Sequence, residues 1–286
     1  MRQQKSRAAQ SRCNAQIDGL NGNSKPISKV TDTESLLEAR RLQTKTENGV
    51  ATITFSHPKS NSLPGKLLAE LATAVTAAGN DPKARVILLQ SEGSGAFCAG
   101  ASFSELQAIS NAEEGKRFFM GFVNLILAMI RAPKFVVTRV HGKAVGGGVG
   151  IVSASDYAIA AEGASLKLSE LAVGLGPFIV GLPIQKKIGM GAFAAMSIDA
   201  DWRTAHWGGQ HGLYAEVHPD VASLDVALAA RIGTLASSNP IAMAQLKRVF
   251  WEGTDNWATE LESRAEMSGT LVLSEYTSRA VGRESK

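Results

Sequence analysis

The stretch FVVTRVHGKAVGGGVG, residues 135–150, runs from an unbroken apolar segment into a cluster of glycines. A short apolar run that stops at a glycine turn predicts a strand buried on both faces over Phe135–Val140. Residues 150–155 then continue as a helix. The same arrangement occurs upstream, where RVILLQ (85–90) predicts a buried strand, Gly93–Gly100 a glycine-rich turn, and Ser102–Ile109 a short segment behind it. Asp156–Ala161 and Leu166–Leu168 add two further strands. This alternation of strand, turn and helix is the rhythm of an α/β fold. At each turn a strand ends and a helix begins, so the first backbone N–H groups of the helix have no internal partner and can face an anion. Small residues there let a substrate oxygen approach the backbone closely. Two such turns can supply a pair of donors to a developing oxyanion, each worth about 2.7–4 kcal/mol in a transition state.

Outward from these turns, Leu42–Glu47 and Val50–Ser56 flank Asn48-Gly49, a hairpin signature. A polar loop, His57–Pro64, precedes a helix over Leu67–Ala78 that Asn80-Asp81-Pro82 stops. Glu113–Ile130 forms an amphipathic helix. After Asp199 the chain turns helical: Ser223 is expected to cap 224–236, Asn239-Pro240 to separate it from 241–251, and Thr254 to cap 256–273. The organisation expected is a basic, disordered arm over 1–40, an α/β core over 41–222 and a helical region over 223–286.

Of 286 residues 44% are hydrophobic and 20% charged, an ordinary balance for a globular core. Residues 1–41 hold eight of the 30 Lys and Arg and four of the 26 acids, which leaves 22 of each sign in the body. A neutral body argues against nucleic-acid binding. No apolar run reaches 18 residues, so no membrane partner is expected. The arm has no apolar central stretch, which excludes a secretory signal. Cys13 and Cys98 are too few for a disulfide framework and fit a reducing compartment, so a cytoplasmic location is expected. The basic, acid-free first twelve residues keep a mitochondrial location as the alternative.

Other chemistries fit less well. Gly146, Gly148 and Gly150 with Glu170 downstream mimic a dinucleotide fingerprint, but Ile151 stands where the third glycine belongs. The five histidines show no zinc spacing, so no metal is expected. No serine sits in a G-x-S-x-G elbow. His141 is a spare acid or base, or a structural residue. Lys247 and Arg248 read as a solvated face or a partner for phosphates.

The sequence resembles the crotonase (enoyl-CoA hydratase/isomerase) superfamily over Leu42 to Ala280. Phe97-Cys98-Ala99-Gly100-Ala101-Ser102 is similar to its F-C/A-A-G-A-D loop, and Gly142-Lys143-Ala144-Val145-Gly146-Gly147-Gly148 to its G-x-A-x-G-G-G loop. Gly212–Val217 is similar to G-L-V-x-E-V. The resemblance implies a spiral of ββα units with a helical C-terminal oligomerisation region that builds a homo-trimer or hexamer. It implies an acyl-CoA thioester as substrate, with coenzyme A part of that substrate and no separate cofactor. The backbone N–H groups of Ala101 and Gly147 are then the oxyanion donors, and Glu170 the catalytic carboxylate. Lys59, Ser60, Ser62, Ala99, Ser102, Phe103, Gly148 and Phe178 are expected to contact the substrate or its CoA portion. The acid that hydratases of this family carry after the glycine triplet is missing, because Gly150 occupies its place. A single glutamate suits movement of a double bond from 3-enoyl-CoA to 2-enoyl-CoA. Hydration, decarboxylation of a carboxylated acyl-CoA and a non-catalytic CoA-binding scaffold are the alternatives.

Overall fold

The computed structural model describes residues 41–282, so the expected basic arm over 1–40 lies outside the described residues. Strands β1 (Arg41–Glu47) and β2 (Val50–Ser56) pair antiparallel, closed by Glu47 opposite Val50. Asn48 and Gly49 both take positive φ, 50° and 79°, as the tight hairpin turn requires. Helix α1 (Gly65–Asn80) leads to β3 (Val86–Ser91). Helices α2 (Phe103–Ala108) and α3 (Ala112–Arg131) precede β4 (Val136–Val140). The glycine-rich stretch becomes β5 (Ala144–Val145) and α4 (Gly147–Ala154). Then come β6 (Tyr157–Ala161), β7 (Ser165–Lys167), α5 (Phe178–Asp199), β8 (Arg203–Thr204), α6 (Ala205–Gln210) and β9 (Glu216–His218). The C-terminal helices are α7 (Val221–Ser237), α8 (Pro240–Phe250), α9 (Trp257–Leu271) and α10 (Glu275–Ala280).

The large sheet has the order β1-β2-β3-β4-β6-β9, parallel from β2 onward, and β5-β7-β8 form a small second sheet. The continuous apolar runs follow from burial on both faces. Ile87 and Leu89 of β3 enter one core with α1 and α3, whereas Val86 and Leu88 enter another with Leu224, Leu228 and Ile232 of α7 and Met243 of α8.

Three expectations are corrected. Asp220, not Ser223, caps α7, accepting from the Ser223 N–H at 2.7 Å. Thr254 does not cap α9; its hydroxyl donates to the Trp251 carbonyl at 2.7 Å. Lys247 is neither solvated nor available to phosphates. It is 2% exposed and pairs with Asp156 at 2.7 Å, while its ammonium also donates to the carbonyls of Met129 and Lys134 at 2.7 and 2.8 Å. Asp156 accepts in turn from the Val136 N–H and the Trp251 indole. Every proton of the ammonium and both carboxylate oxygens are engaged. Burial pulls the Lys247 pKa down and the facing carboxylate opposes that pull.

Sequence reading also missed α5, the 22-residue helix, which contains Pro183 and bends at Gly189 (φ 77°). No single helix among the described residues is long and apolar enough to cross a membrane.

Removing one partner of a buried pair leaves the other charge uncompensated, at a cost of about 3–5 kcal/mol. Asp156→Ala should lose stability on that scale in urea unfolding. Lys247→Met combined with Asp156→Asn should cost less than the two single changes added together.

Candidate active site

The two glycine turns meet because their backbones are laced together. The Cys98 N–H donates to the Lys143 carbonyl at 3.1 Å and the Val145 N–H to the Cys98 carbonyl at 2.9 Å. On the other side the Leu63 N–H donates to the Gly100 carbonyl at 2.8 Å and the Ser102 N–H to the Leu63 carbonyl at 3.3 Å. Gly100 sits where this lacing is tightest. Its φ is 83°, and a Cβ there would lie 2.7 Å from the Val145 carbonyl oxygen and 3.4 Å from the Gly147 nitrogen. Only glycine satisfies both the dihedral and the approach.

Ala101 and Gly147 line one cavity, and neither donates its N–H in a hydrogen bond within the described residues. Gly147 opens α4, where an N–H has no acceptor within the helix. The cavity, with about 90 Å³ of free space, is walled by Phe103 and Leu106 of α2, Phe119 and Phe122 of α3, and Phe178, Ile179 and Val180 of α5. Arg264 of α9 holds the start of α5, donating to the Phe178 carbonyl at 3.0 Å.

Glu170 follows β7 and reaches the same cavity. The residue as a whole is partly exposed, but its Oε2 is buried with no hydrogen-bond partner. Gly146, at φ 51°, makes room for the carboxylate: a Cβ there would lie 3.0 Å from Oε1. Burial pushes the carboxyl pKa up to about 7, against weaker opposition from the backbone N–H groups of Glu170 and Ser169. The carboxylate is therefore poised to lose and regain a proton near neutrality. Beyond it, the Thr277 hydroxyl of α10 donates to the Gly174 carbonyl at 3.1 Å and steadies the loop that carries Glu170.

Of the residues singled out from sequence, Glu170, Ala101, Gly147, Ala99, Phe103 and Phe178 line the cavity. The others do not. Ser62 is buried with its hydroxyl on His57 Nδ1 at 3.0 Å, and Ser102 is buried with its hydroxyl on Ser104 at 3.1 Å. Gly148 packs on Cys98, and Gly150 on Val180. Lys59 and Ser60 are exposed in the neighbouring loop, and the Ser60 carbonyl accepts from the Ala99 N–H at 3.1 Å. His141 lies outside the cavity lining, 7% exposed, and both its ring nitrogens are buried without a partner. Burial, then the Arg139 charge, lower its pKa. The Cys98 thiol is buried and pushed up to about 12, so it is no nucleophile.

Phe122, Val180 and Ser268 were not singled out as site residues. Phe122 belongs to an apolar helical stripe that reads as core, and Ser268 reaches the cavity from α9, distant in sequence.

Known proteins resemble this chain over most of its length. Residues 45–280 match the model of the enoyl-CoA hydratase/isomerase family. A relative from Mycobacterium tuberculosis (strain ATCC 25618 / H37Rv), (7aS)-7a-methyl-1,5-dioxo-2,3,5,6,7,7a-hexahydro-1H-indene-carboxyl-CoA hydrolase, is 33% identical over 193 residues, 64% of this chain and 75% of that protein. The mitochondrial methylglutaconyl-CoA hydratase of Homo sapiens is 33% identical over 150 residues, 51% of this chain and 42% of that protein. Among solved structures, an enoyl-CoA hydratase/isomerase from Mycobacterium paratuberculosis superposes with a TM-score of 0.77 at 23% identity, covering 84% of this chain and 97% of that one. The ladder of backbones, the two free donors and the family match lead to one conclusion: the chain belongs to the enoyl-CoA hydratase/isomerase family and has its crotonase-like fold.

Proposed function

We propose that the protein moves the double bond of an enoyl-CoA from the 3 to the 2 position, with Glu170 as the sole proton carrier. The observation that supports this reading is the cavity's inventory: Glu170 is its one ionisable lining side chain among the described residues. The thioester oxygen sits between the N–H groups of Ala101 and Gly147. The Glu170 carboxylate takes a proton from C2, and the negative charge spreads onto the thioester oxygen. The neutral carboxylic acid then returns that proton to C4, so no proton is gained or lost. A carboxyl with its pKa near 7 serves both halves of the cycle. Lys59 and Ser60, exposed beside Ala99, are assigned to the CoA portion outside the cavity.

Addition of water to a 2-enoyl-CoA is the second reading. Ser169 and Ser268 of the cavity lining support it: a serine oxygen accepts from a water, although the Ser268 hydroxyl proton is already donated to the Arg264 carbonyl at 3.0 Å. Assembly into a trimer or a multiple of it belongs to the same proposal. Ile241, Val249 and Phe250 of α8 are 69%, 56% and 45% exposed in the single chain, an apolar surface that a neighbouring copy would cover.

Glu170→Gln should lower turnover of 3-enoyl-CoA by about 10²–10⁴-fold while acyl-CoA affinity changes little. Mass spectrometry in heavy water separates isomerisation from hydration, which adds the mass of water. Equal turnover in the two proteins would remove Glu170 from the mechanism. The wild-type kcat/KM should rise with pH through about 7 and then level off, because the base works deprotonated.

The same raised pKa predicts a stability effect. The folded carboxyl holds its proton up to about 7, whereas the unfolded one releases it near 4.5, so the wild type loses stability as pH climbs between them. Melting curves at pH 5 and 8 should show Glu170→Gln gaining on the wild type at the higher pH. Light scattering at micromolar concentration should give a trimer or a multiple of it, and a stable monomer would count against the assembly.

A further inference from the structure

Gly150 lies on α4, one helical turn past the Gly147 donor, and is buried against α5. A Cβ at that position would lie 2.5 Å from Val180 Cγ1 and 3.0 Å from Val180 Cβ. Val180 is 5% exposed, and unlike Gly150 it lines the cavity. Its isopropyl group thus meets Gly150 on one side and the cavity on the other. A β-branched side chain in a helix favours one rotamer, so moving Val180 aside carries a cost. Its neighbours Phe178 and Ile179 line the same wall, and no polar side chain of α5 does.

We propose that Val180 decides the reaction: it fills the volume through which a side chain at position 150 would reach the cavity, and so limits the site to one ionisable group. The proposal rests on the acyl-CoA reading above. With Glu170 alone, a proton leaves and returns by the same carboxylate. With a second carboxyl group at position 150, water can add to a 2-enoyl thioester. One carboxylate takes a proton from water as the oxygen bonds to C3, and the electron pair of the C2–C3 double bond moves toward the thioester. The other group, as the neutral acid, gives its proton to C2. The two carboxyl groups exchange protonation states and one water is consumed. The obstacle to such a site is Val180 as much as the absence of an acid at Gly150.

The test compares the wild type, Gly150→Glu, Val180→Ala and the double variant. Thermal unfolding is read for all four, as is incorporation of heavy oxygen from labelled water into 2-butenoyl-CoA. Gly150→Glu alone should melt several degrees lower, and Val180→Ala should return part of that loss, since the 2.5 Å approach to Cγ1 is then gone while that to Cβ at 3.0 Å stays. The double variant should hydrate 2-butenoyl-CoA about 10²-fold or more faster than Val180→Ala. Two results would overturn the proposal: Gly150→Glu as stable as the wild type, or a folded double variant that binds the substrate but hydrates it no faster than Val180→Ala. Should the double variant not fold, Gly150→Ala carries the question with a methyl group alone. It should lower the melting temperature when Val180 is present and much less when Val180→Ala accompanies it, and equal effects in both backgrounds refute the plug. Hydration by the double variant is read on its own substrate, so a wild type that fails to isomerise refutes the isomerase reading without touching this result.

Discussion

The site depends on how closely two backbones can approach each other. Loops from β3 and β4 must bring Ala101 and Gly147 to one cavity, and the contact of Gly100 with the Val145 carbonyl sets their spacing. The hydrogen bonds among residues 63, 98–102 and 143–145 turn the loops into a short extension of strand structure. On the proposed function, a donor pair built this way is set before any substrate arrives, so little reorganisation is needed when charge develops. Phe122 closes the arrangement from α3, its ring lying where a Cβ on Gly147 would be, 2.2 Å from Cε1.

Around those donors the protein gives up polar contacts that would have been easy to make. Glu170 Oε2 is buried without a partner, and phenylalanine and aliphatic side chains supply most of the walls. An ion pair would have held the carboxylate charged and stable, at the expense of its basicity. The apolar surroundings instead leave the two protonation states near balance at neutral pH. Folding pays for this arrangement in stability; on the proposed function the cavity gains a group that moves a proton in both directions.

Much of the fold is legible in the sequence because it follows local rules. The Asn48-Gly49 turn, the runs at 85–90 and 135–140 and the glycines after them each reflect a backbone demand that few residues meet. Glu170 was placed only through resemblance, since a lone glutamate after a short strand reads by itself as a surface residue. The rest was hidden because it depends on distant partners. Helix α5 contains Gly181, Pro183 and Gly189, which argue locally against a helix, yet its buried face packs on α4. Val180 looks like any core valine until Gly150 is seen beside it. Asp220 and Ser223 are both good caps on paper, and only the geometry of the β9–α7 turn chooses between them.

The buried pair of Lys247 and Asp156 bears on how the C-terminal helices find their seat. Apolar contacts between α8 and the sheet are non-directional and would tolerate a helix displaced along its axis. The ammonium does not tolerate it. A slip of one turn, about 5.4 Å, would carry Lys247 away from Asp156 and from the carbonyls of Met129 and Lys134 together, leaving four polar groups stranded. The pair thus acts as an indexing pin that accepts one alignment of α8 and penalises its neighbours. Through Trp251, which donates to the same carboxylate, the setting passes on to the turn into α9, and so to the helix that places Arg264 and Ser268 beside the cavity.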